Sequence, residues 1–281
     1  MSNATGTTSG RESRAPRLRR AGDYGRRALS LWQPVVVFLG LVGLAYLIAF
    51  YYDRVKGQSY LWPYPHEIVA QLWDPYFGPQ LSADLLNSTL VAVTGLGTAI
   101  VIGVLWAVLM AQARWIERSF YPYAVVLQCI PILALVPLIG TLFGYEFFSR
   151  VLVTTMIALF PLVSNTLFGL LSADRAQREL FQLQGASRIT TLVKLRFPAA
   201  LPSIFVGLRT SAGLSVIGAI VGDQFFQRGK PGLGVLIQVA TSRLNGPGTF
   251  AAILTASLLG VVVFIVFGAL ARLAIGRWYD F

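Results

Sequence analysis

Ionisable chemistry is scarce in this chain. Only 12% of its 281 residues are charged, about half the share found in a soluble domain. Cys129 is the one cysteine and His66 the one histidine. A lone cysteine excludes an intrachain disulfide, and one of each cannot assemble the usual His/Cys metal centre. Both residues are read as structural. No Gly-x-x-x-x-Gly-Lys-Ser/Thr loop occurs, so nothing here cradles a nucleotide phosphate. No two carboxylates fall in the middle of one apolar run, which deprives an intramembrane enzyme of a catalytic constellation. No internal repeat stands out, and Arg209 is the one charge deep inside a run. A secondary transporter, the alternative kept open, typically shows both repeats and midplane ion pairs.

What is abundant is apolar surface. Hydrophobic residues make up 55% of the chain and the mean hydropathy is +0.65, so the bilayer must be the solvent for most of it. The net charge of +11 suits either nucleic acid or a membrane. Because the charges sit between apolar runs, a nucleic-acid surface is excluded.

In chain order, residues 1–31 form a polar, basic tail, expected to be disordered and cytoplasmic. Its charge and the length of the following run do not fit a cleaved secretory signal. Residues 32–281 then read as one all-α, polytopic domain with six transmembrane helices. The first runs from Pro34 to Tyr52, about one bilayer long, with Tyr51 and Tyr52 suited to the headgroup belt. Residues 53–87 are polar and interrupted by Pro63, Pro65, Pro75 and Pro79. Within them a short helix near His66, with Ile68, Val69, Leu72 and Trp73 on one side, is expected on the membrane surface. The second span is Ser88 to Ala111, rich in glycine for close helix approach. Gln112 to Ser119 is a short loop and Phe120 to Phe143 the third span, containing Pro131 and Pro137. The fourth is Arg150 to Ser172, kinked at Pro161. The fifth is Leu201 to Phe226, the segment 227–248 is a Gly/Pro-rich loop, and the sixth is Phe250 to Ala271. With the N-terminus inside, sixteen lysines and arginines fall on cytoplasmic segments and six on outer ones. Positive charge accumulates on the cytoplasmic side, so both termini are expected in the cytosol of a bacterium, the chain being multi-pass in its plasma membrane.

The polar interruption at 173–202 is more than a loop. It reads as two short amphipathic helices, the first presenting Leu180, Phe181 and Leu183. Gly185 permits a turn, and Ser187 can cap the second helix. Ile189, Leu192 and Val193 form one face of that helix, and Pro198 and Pro202 restrict the backbone ahead of the fifth span. Such an apolar face must be covered, either by lipid headgroups or by a partner protein.

The register Glu179, Gly185, Pro198 resembles the EAA loop of ATP-binding-cassette importer permeases. That signature is Glu-Ala-Ala, three residues, Gly, nine residues, Ile-x-Leu-Pro. Leu180 and Phe181 stand for its alanines, Leu195 and Phe197 for its Ile and Leu. The continuation PAALPSIFVGLRTSAGLSVIGAIVGD is similar to the nitrate, sulfonate and taurine branch, and IVGDQFFQRGKPGLG to its pyrimidine-precursor and riboflavin uptake members. The resemblance implies a type I importer permease that works as a homodimer. Its partners would be two copies of an ATPase subunit, which hold the ATP and Mg, and an external substrate-binding protein. This chain would carry no cofactor and would be no enzyme. By resemblance, Glu179, Leu180, Phe181, Gly185, Ala186, Ser187, Pro198 and Pro202 couple it to the ATPase. The cargo implied is a small organic anion or vitamin precursor.

Polar residues inside the spans, Gln128, Asn165, Ser211 and Ser215, are candidates for the translocation pathway, and interhelical hydrogen bonding explains them equally well. Asp223, near the outer end of the fifth span, is a further candidate. It is expected either to pair with Arg228 or Lys230 or to help close an outer gate. Arg209 is expected to snorkel to the inner headgroups or to cap carbonyls. Gly207, Gly213, Gly218 and Gly222 can serve packing within the chain or contact between two copies.

Overall fold

The computed structural model describes residues 21–276, which are helical throughout apart from short connections. The elements are α1 (Ala21–Arg54), α2 (Pro65–Gln71), α3 (Phe77–Met110), α4 (Arg114–Cys129), α5 (Ile132–Phe143) and α6 (Phe147–Leu171). There follow α7 (Arg175–Leu183), α8 (Arg188–Thr191), a π turn (Leu192–Arg196), α9 (Phe197–Phe225), α10 (Leu233–Ser242) and α11 (Gly246–Ile275). Of the expected basic tail, residues 1–20 lie outside the described residues, and so does the aromatic terminus 277–281. Among the described residues, five helical stretches are long and apolar enough to cross a bilayer, and the bent pair α4–α5 makes a sixth if taken as one span.

The centre of the bundle is a sandwich of α3, α6 and α9. Its tightest seam is antiparallel, α6 against α9, and is set by small residues. A Cβ on Gly218 would lie 2.8 Å from the Thr154 Cα, one on Gly222 3.2 Å from the Arg150 Cα, and one on Gly207 2.9 Å from the Asn165 Cβ. Ser211 continues the same face and donates to the Ala158 carbonyl at 2.7 Å. Three of the four fifth-span glycines are therefore occupied within the chain, and Gly213 alone has nothing within 4 Å. Gly95 and Gly103 of α3 meet the side chains of the same Thr154 and Leu162, so that α3, α6 and α9 pack against one another. The apolar cluster at the α7–α8 end unites Met110, Val163, Leu170, Ala200 and Ile204.

Several boundaries differ from the sequence expectation for identifiable reasons. α3 begins eleven residues before Ser88, at Phe77, because Asp74 accepts from the backbone N–H groups of Tyr76 and Phe77 and starts the helix there. The third span is not one kinked helix. Pro131 forces Ile130 into an extended conformation (ψ 125°), and the two halves meet at 96°. The loop expected at 112–119 is mostly the first turns of α4. The Gly/Pro-rich segment 227–248 contains α10, whose Leu233, Leu236 and Ala240 are buried. Leu233 and Leu236 pack with Phe77, Leu81, Ala251 and Ala252. Pro198 and Pro202 do not delay the fifth span either. The helical path is continuous from Arg188 to Phe225, with Pro198 the second residue of α9, directly after the π turn. The turn before it widens so that Phe197 donates to Leu192, five residues back. In α2, Ile68 turns to the core while Val69, Leu72 and Trp73 stay exposed.

The seam makes a direct prediction. Gly218→Val overpacks α6, at a cost of about 1–3 kcal/mol, whereas Gly97→Ala enters open space. Thermal unfolding of the detergent-purified protein should show a lowered midpoint for the first variant and an unchanged one for the second.

Candidate functional site

The polar interruption folds as a rigid corner. α7 ends in a Schellman motif: the N–H of Ala186 reaches the Phe181 carbonyl and that of Gly185 the Gln182 carbonyl, each at 3.0 Å. Gly185 has φ +66°, a left-handed conformation that disfavours any residue with a Cβ. Ser187 then caps α8, accepting from the Thr190 N–H at 3.1 Å. Phe181 and Ala186 are half-buried at the corner, and Leu195 is buried beneath it. Arg196 fastens this end to α3 by donating to the Ala111 carbonyl at 2.6 Å.

What the corner leaves uncovered is apolar. Leu183 is 87% exposed and Ile189 74%, with Leu180 and Val193 also well exposed. Leu192, expected on that face, instead packs inward against the cluster containing Leu170 and Ala200. Glu179 is exposed and accepts from Arg175 at 2.8 Å. A surface pair of this kind contributes about 0–1 kcal/mol, so Glu179 can exchange partners at little cost. Pro198 and Pro202 lie within α9 and are half-buried.

The opposite end of the same two helices holds a buried charge cluster. Arg150 of α6 is 2% exposed and Asp223 of α9 fully buried, joined at 3.3 Å. The guanidinium also donates to three carbonyls of the segment after α9: Phe226 at 2.7 Å, Arg228 at 2.9 Å and Lys230 at 2.7 Å. Ser88 of α3 donates to the other carboxylate oxygen of Asp223 and accepts from the Leu233 N–H at 2.8 Å. Asp223 and Ser88 thus cap the N-terminus of α10, where the helix dipole favours negative charge. Asn87 adds a bond to the Pro231 carbonyl at 2.8 Å. Arg150, Asp223 and Ser88 together therefore tie α3, α6, α9, α10 and the strap 226–231 to one another.

Residues 99–275 match the family model described as binding-protein-dependent transport system inner membrane component. The chain belongs to this family. It is 37% identical to the formylaminopyrimidine transport permease protein ThiX of Halalkalibacterium halodurans over 85% of this chain and 93% of that one. It is 31% identical to the riboflavin transport system permease protein RibX of Chloroflexus aurantiacus over 94% and 95%. The putative aliphatic sulfonates transport permease protein SsuC of Escherichia coli is 29% identical over 77% and 81%. A solved amino acid ABC transporter chain, 17% identical, superposes with a TM-score of 0.56 over 74% of this chain and 98% of that one, a likeness of fold. The protein is therefore a multi-pass inner-membrane permease of an ATP-binding-cassette importer. It is a transport subunit, whose family works with an ATPase and a substrate-binding protein.

In this permease the hairpin candidates Glu179 to Ser187 lie on α7 and the turn after it, whereas the pathway candidates are spread over α4, α6 and α9. Ser211 and Ser215 are buried and bonded to the Ala158 and Ala212 carbonyls, Asn165 donates to the Pro161 carbonyl at 2.7 Å, and Gln128 lies near the end of α4. Asp223 pairs with Arg150 and not with the side chains of Arg228 or Lys230, which contribute backbone carbonyls only. Among the described residues Arg209 caps no carbonyl; it lies over the Phe264 ring, 3.8 Å from its centroid. Arg150 was missed as a functional residue because a basic residue at the start of a span normally marks water. Nothing local in the sequence signals that the strap will fold over it.

Removing one partner of a buried, hydrogen-bonded pair costs about 3–5 kcal/mol. Arg150→Gln should therefore lower the thermal midpoint and release the strap. Limited trypsinolysis of detergent-purified protein should cut after Arg228 many-fold faster in this variant than in the parent; equal rates would deny Arg150 its anchoring role.

Proposed function

We propose that the permease acts as a homodimer that imports a small heteroaromatic vitamin precursor, driven by two copies of a separate ATPase subunit that bind ATP and Mg. The observation that carries this reading is the hairpin around Gly185. It is an exposed apolar ridge on a rigid corner, continuous through the π turn with α9. A free lipid-facing loop needs neither the Schellman corner nor the tie from Arg196 to Ala111. A surface that must transmit a push needs both. Closure of the ATPase pair on ATP binding would move the ridge, and α9 would carry that movement along its length. A two-state rearrangement between inward-open and outward-open forms then follows from the different contacts the ATPase makes with each.

In this reading Glu179 exchanges Arg175 for a basic residue of the ATPase, while Leu180, Leu183, Ile189 and Val193 seat in an apolar cleft. Phe181, Gly185, Ala186 and Ser187 hold the shape of the ridge, and Pro198 and Pro202 join it to the membrane helix. The hairpin side is the cytosolic one and both termini lie there, in keeping with the distribution of basic residues. The Arg150 end then faces an external substrate-binding protein, in which most of the affinity for cargo resides. The relatives named for formylaminopyrimidine and riboflavin, both aligned along nearly their whole length, support the cargo class. Gln128, Asn165, Ser211, Ser215 and Asp223 remain the pathway candidates on this chain.

Two variants test the coupling. Gly185→Pro, which removes the turn and its N–H bond to Gln182, and Glu179→Arg, which reverses an exposed charge, should both still insert, yet reduce ATP-driven uptake at least about tenfold in proteoliposomes, an effect near 1.4 kcal/mol on coupling. Undiminished uptake by both would end the docking role of the hairpin.

A further inference from the structure

Between α9 and α11, toward the hairpin end of the bundle, lies a lateral groove of about 720 Å³. Two arginines face it, Arg209 from α9 and Arg272 from α11, and its walls include Phe205, Val206, Phe264 and Ile265. Among the described residues that line it there is no carboxylate, and Arg209 forms no ion pair with any described residue. Gly268 packs beside the Arg209 guanidinium at 3.5 Å. Arg272 is four residues further along the same face of α11, or about 6 Å nearer its end. The helix finishes at Ile275, so the two cations sit within about 10 Å of the end of α11, against apolar walls.

An arginine at that depth is costly without a counter-charge. The Phe264 ring offsets part of the cost, as a cation over an aromatic face is attracted by the ring quadrupole, and supplies no net negative charge. We propose that the groove binds an anionic phospholipid. Its phosphate is held between Arg209 and Arg272, and an acyl chain lies along Phe264, Ile265 and Val206. Charge complementarity favours this occupant over a zwitterionic lipid, and the apolar walls favour it over a free anion. The inference needs only the membrane-embedded fold and stands apart from the ATPase docking role of the hairpin.

The test is native mass spectrometry of the full-length permease in mild detergent, titrated with dioleoyl-phosphatidylglycerol or dioleoyl-phosphatidylcholine. The parent protein should retain phosphatidylglycerol in preference to phosphatidylcholine. Arg209→Gln and Arg272→Gln should each lower that retention about fivefold, the contribution of one arginine near an anionic lipid. Arg209→Lys should keep most of it, and Arg228→Gln, at the other end of the molecule, should change nothing. Equal retention of the two lipids, or unchanged retention in both glutamine variants, overturns the proposal. So does displacement of the lipid by millimolar inorganic phosphate, which would make the ligand a free anion. A disulfide between two copies of an Arg209→Cys variant would assign the groove to the dimer contact instead.

Discussion

Small residues hold α6 and α9 so close that backbone nearly meets backbone, with Gly218 against Thr154, Gly222 against Arg150 and Gly169 against Ala200. In lipid, apolar side chains gain little by leaving acyl chains for protein, so helices associate through close packing and hydrogen bonds. The Ser211 bond to the Ala158 carbonyl and the glycine contacts supply both along one seam. Because the approach is set by backbone, the two helices cannot slide without lifting over several contacts at once. The seam is therefore better suited to moving as one body than to deforming along its length.

That rigidity gives meaning to what sits at its two ends. α9 is 29 residues long, about 43 Å, and carries the hairpin before its first residue and Asp223 near its last. At the hairpin end the polar fastening is light, one arginine on one carbonyl; an apolar cluster around Leu170 and Ala200 holds the corner from beneath, and a ridge of leucine, isoleucine and valine is left uncovered. At the other end the fastening is dense, with Arg150 making four bonds and Ser88 linking α3 to both α9 and α10. A structure held firmly at one end and offered for contact at the other can transmit a displacement without losing its fold.

The charges within the bundle illustrate three ways of managing ionisation in a low-dielectric setting. Arg150 is neutralised by Asp223 and satisfied by three carbonyls, so its burial costs little while intact and much when any partner is lost. Glu179 and Arg175 remain in water, where their pairing is easily exchanged. Arg209 stacks on Phe264 beside an open groove, with no ion pair among the described residues. The first arrangement suits permanent closure, the second an exchangeable contact and the third the attraction of a ligand.

Much of this was legible in the chain itself. The alternation of apolar runs and basic segments is dictated by the bilayer's thickness and its solvation of charge, so the all-α character and five of the six expected spans follow from composition and length alone, while the third expected span is a pair of helices bent by 96°. The hairpin was legible too, because Gly185, Ser187 and the flanking leucines act through bonds within a few residues. Other features were not. Whether Pro131 bends a span or breaks it depends on what neighbouring helices tolerate, and α10 was hidden because its ten residues need the Phe77 and Leu81 face to bury them. Arg150 reads locally as a residue at the membrane edge, and only the return of the 226–231 strap, far later in the chain, removes it from water. The sequence by itself determined which stretches enter the membrane and where the chain turns, since these rest on local periodicity and solvation. Only the tertiary structure decided which charges meet and which glycines are occupied, since those contacts join residues far apart in the chain.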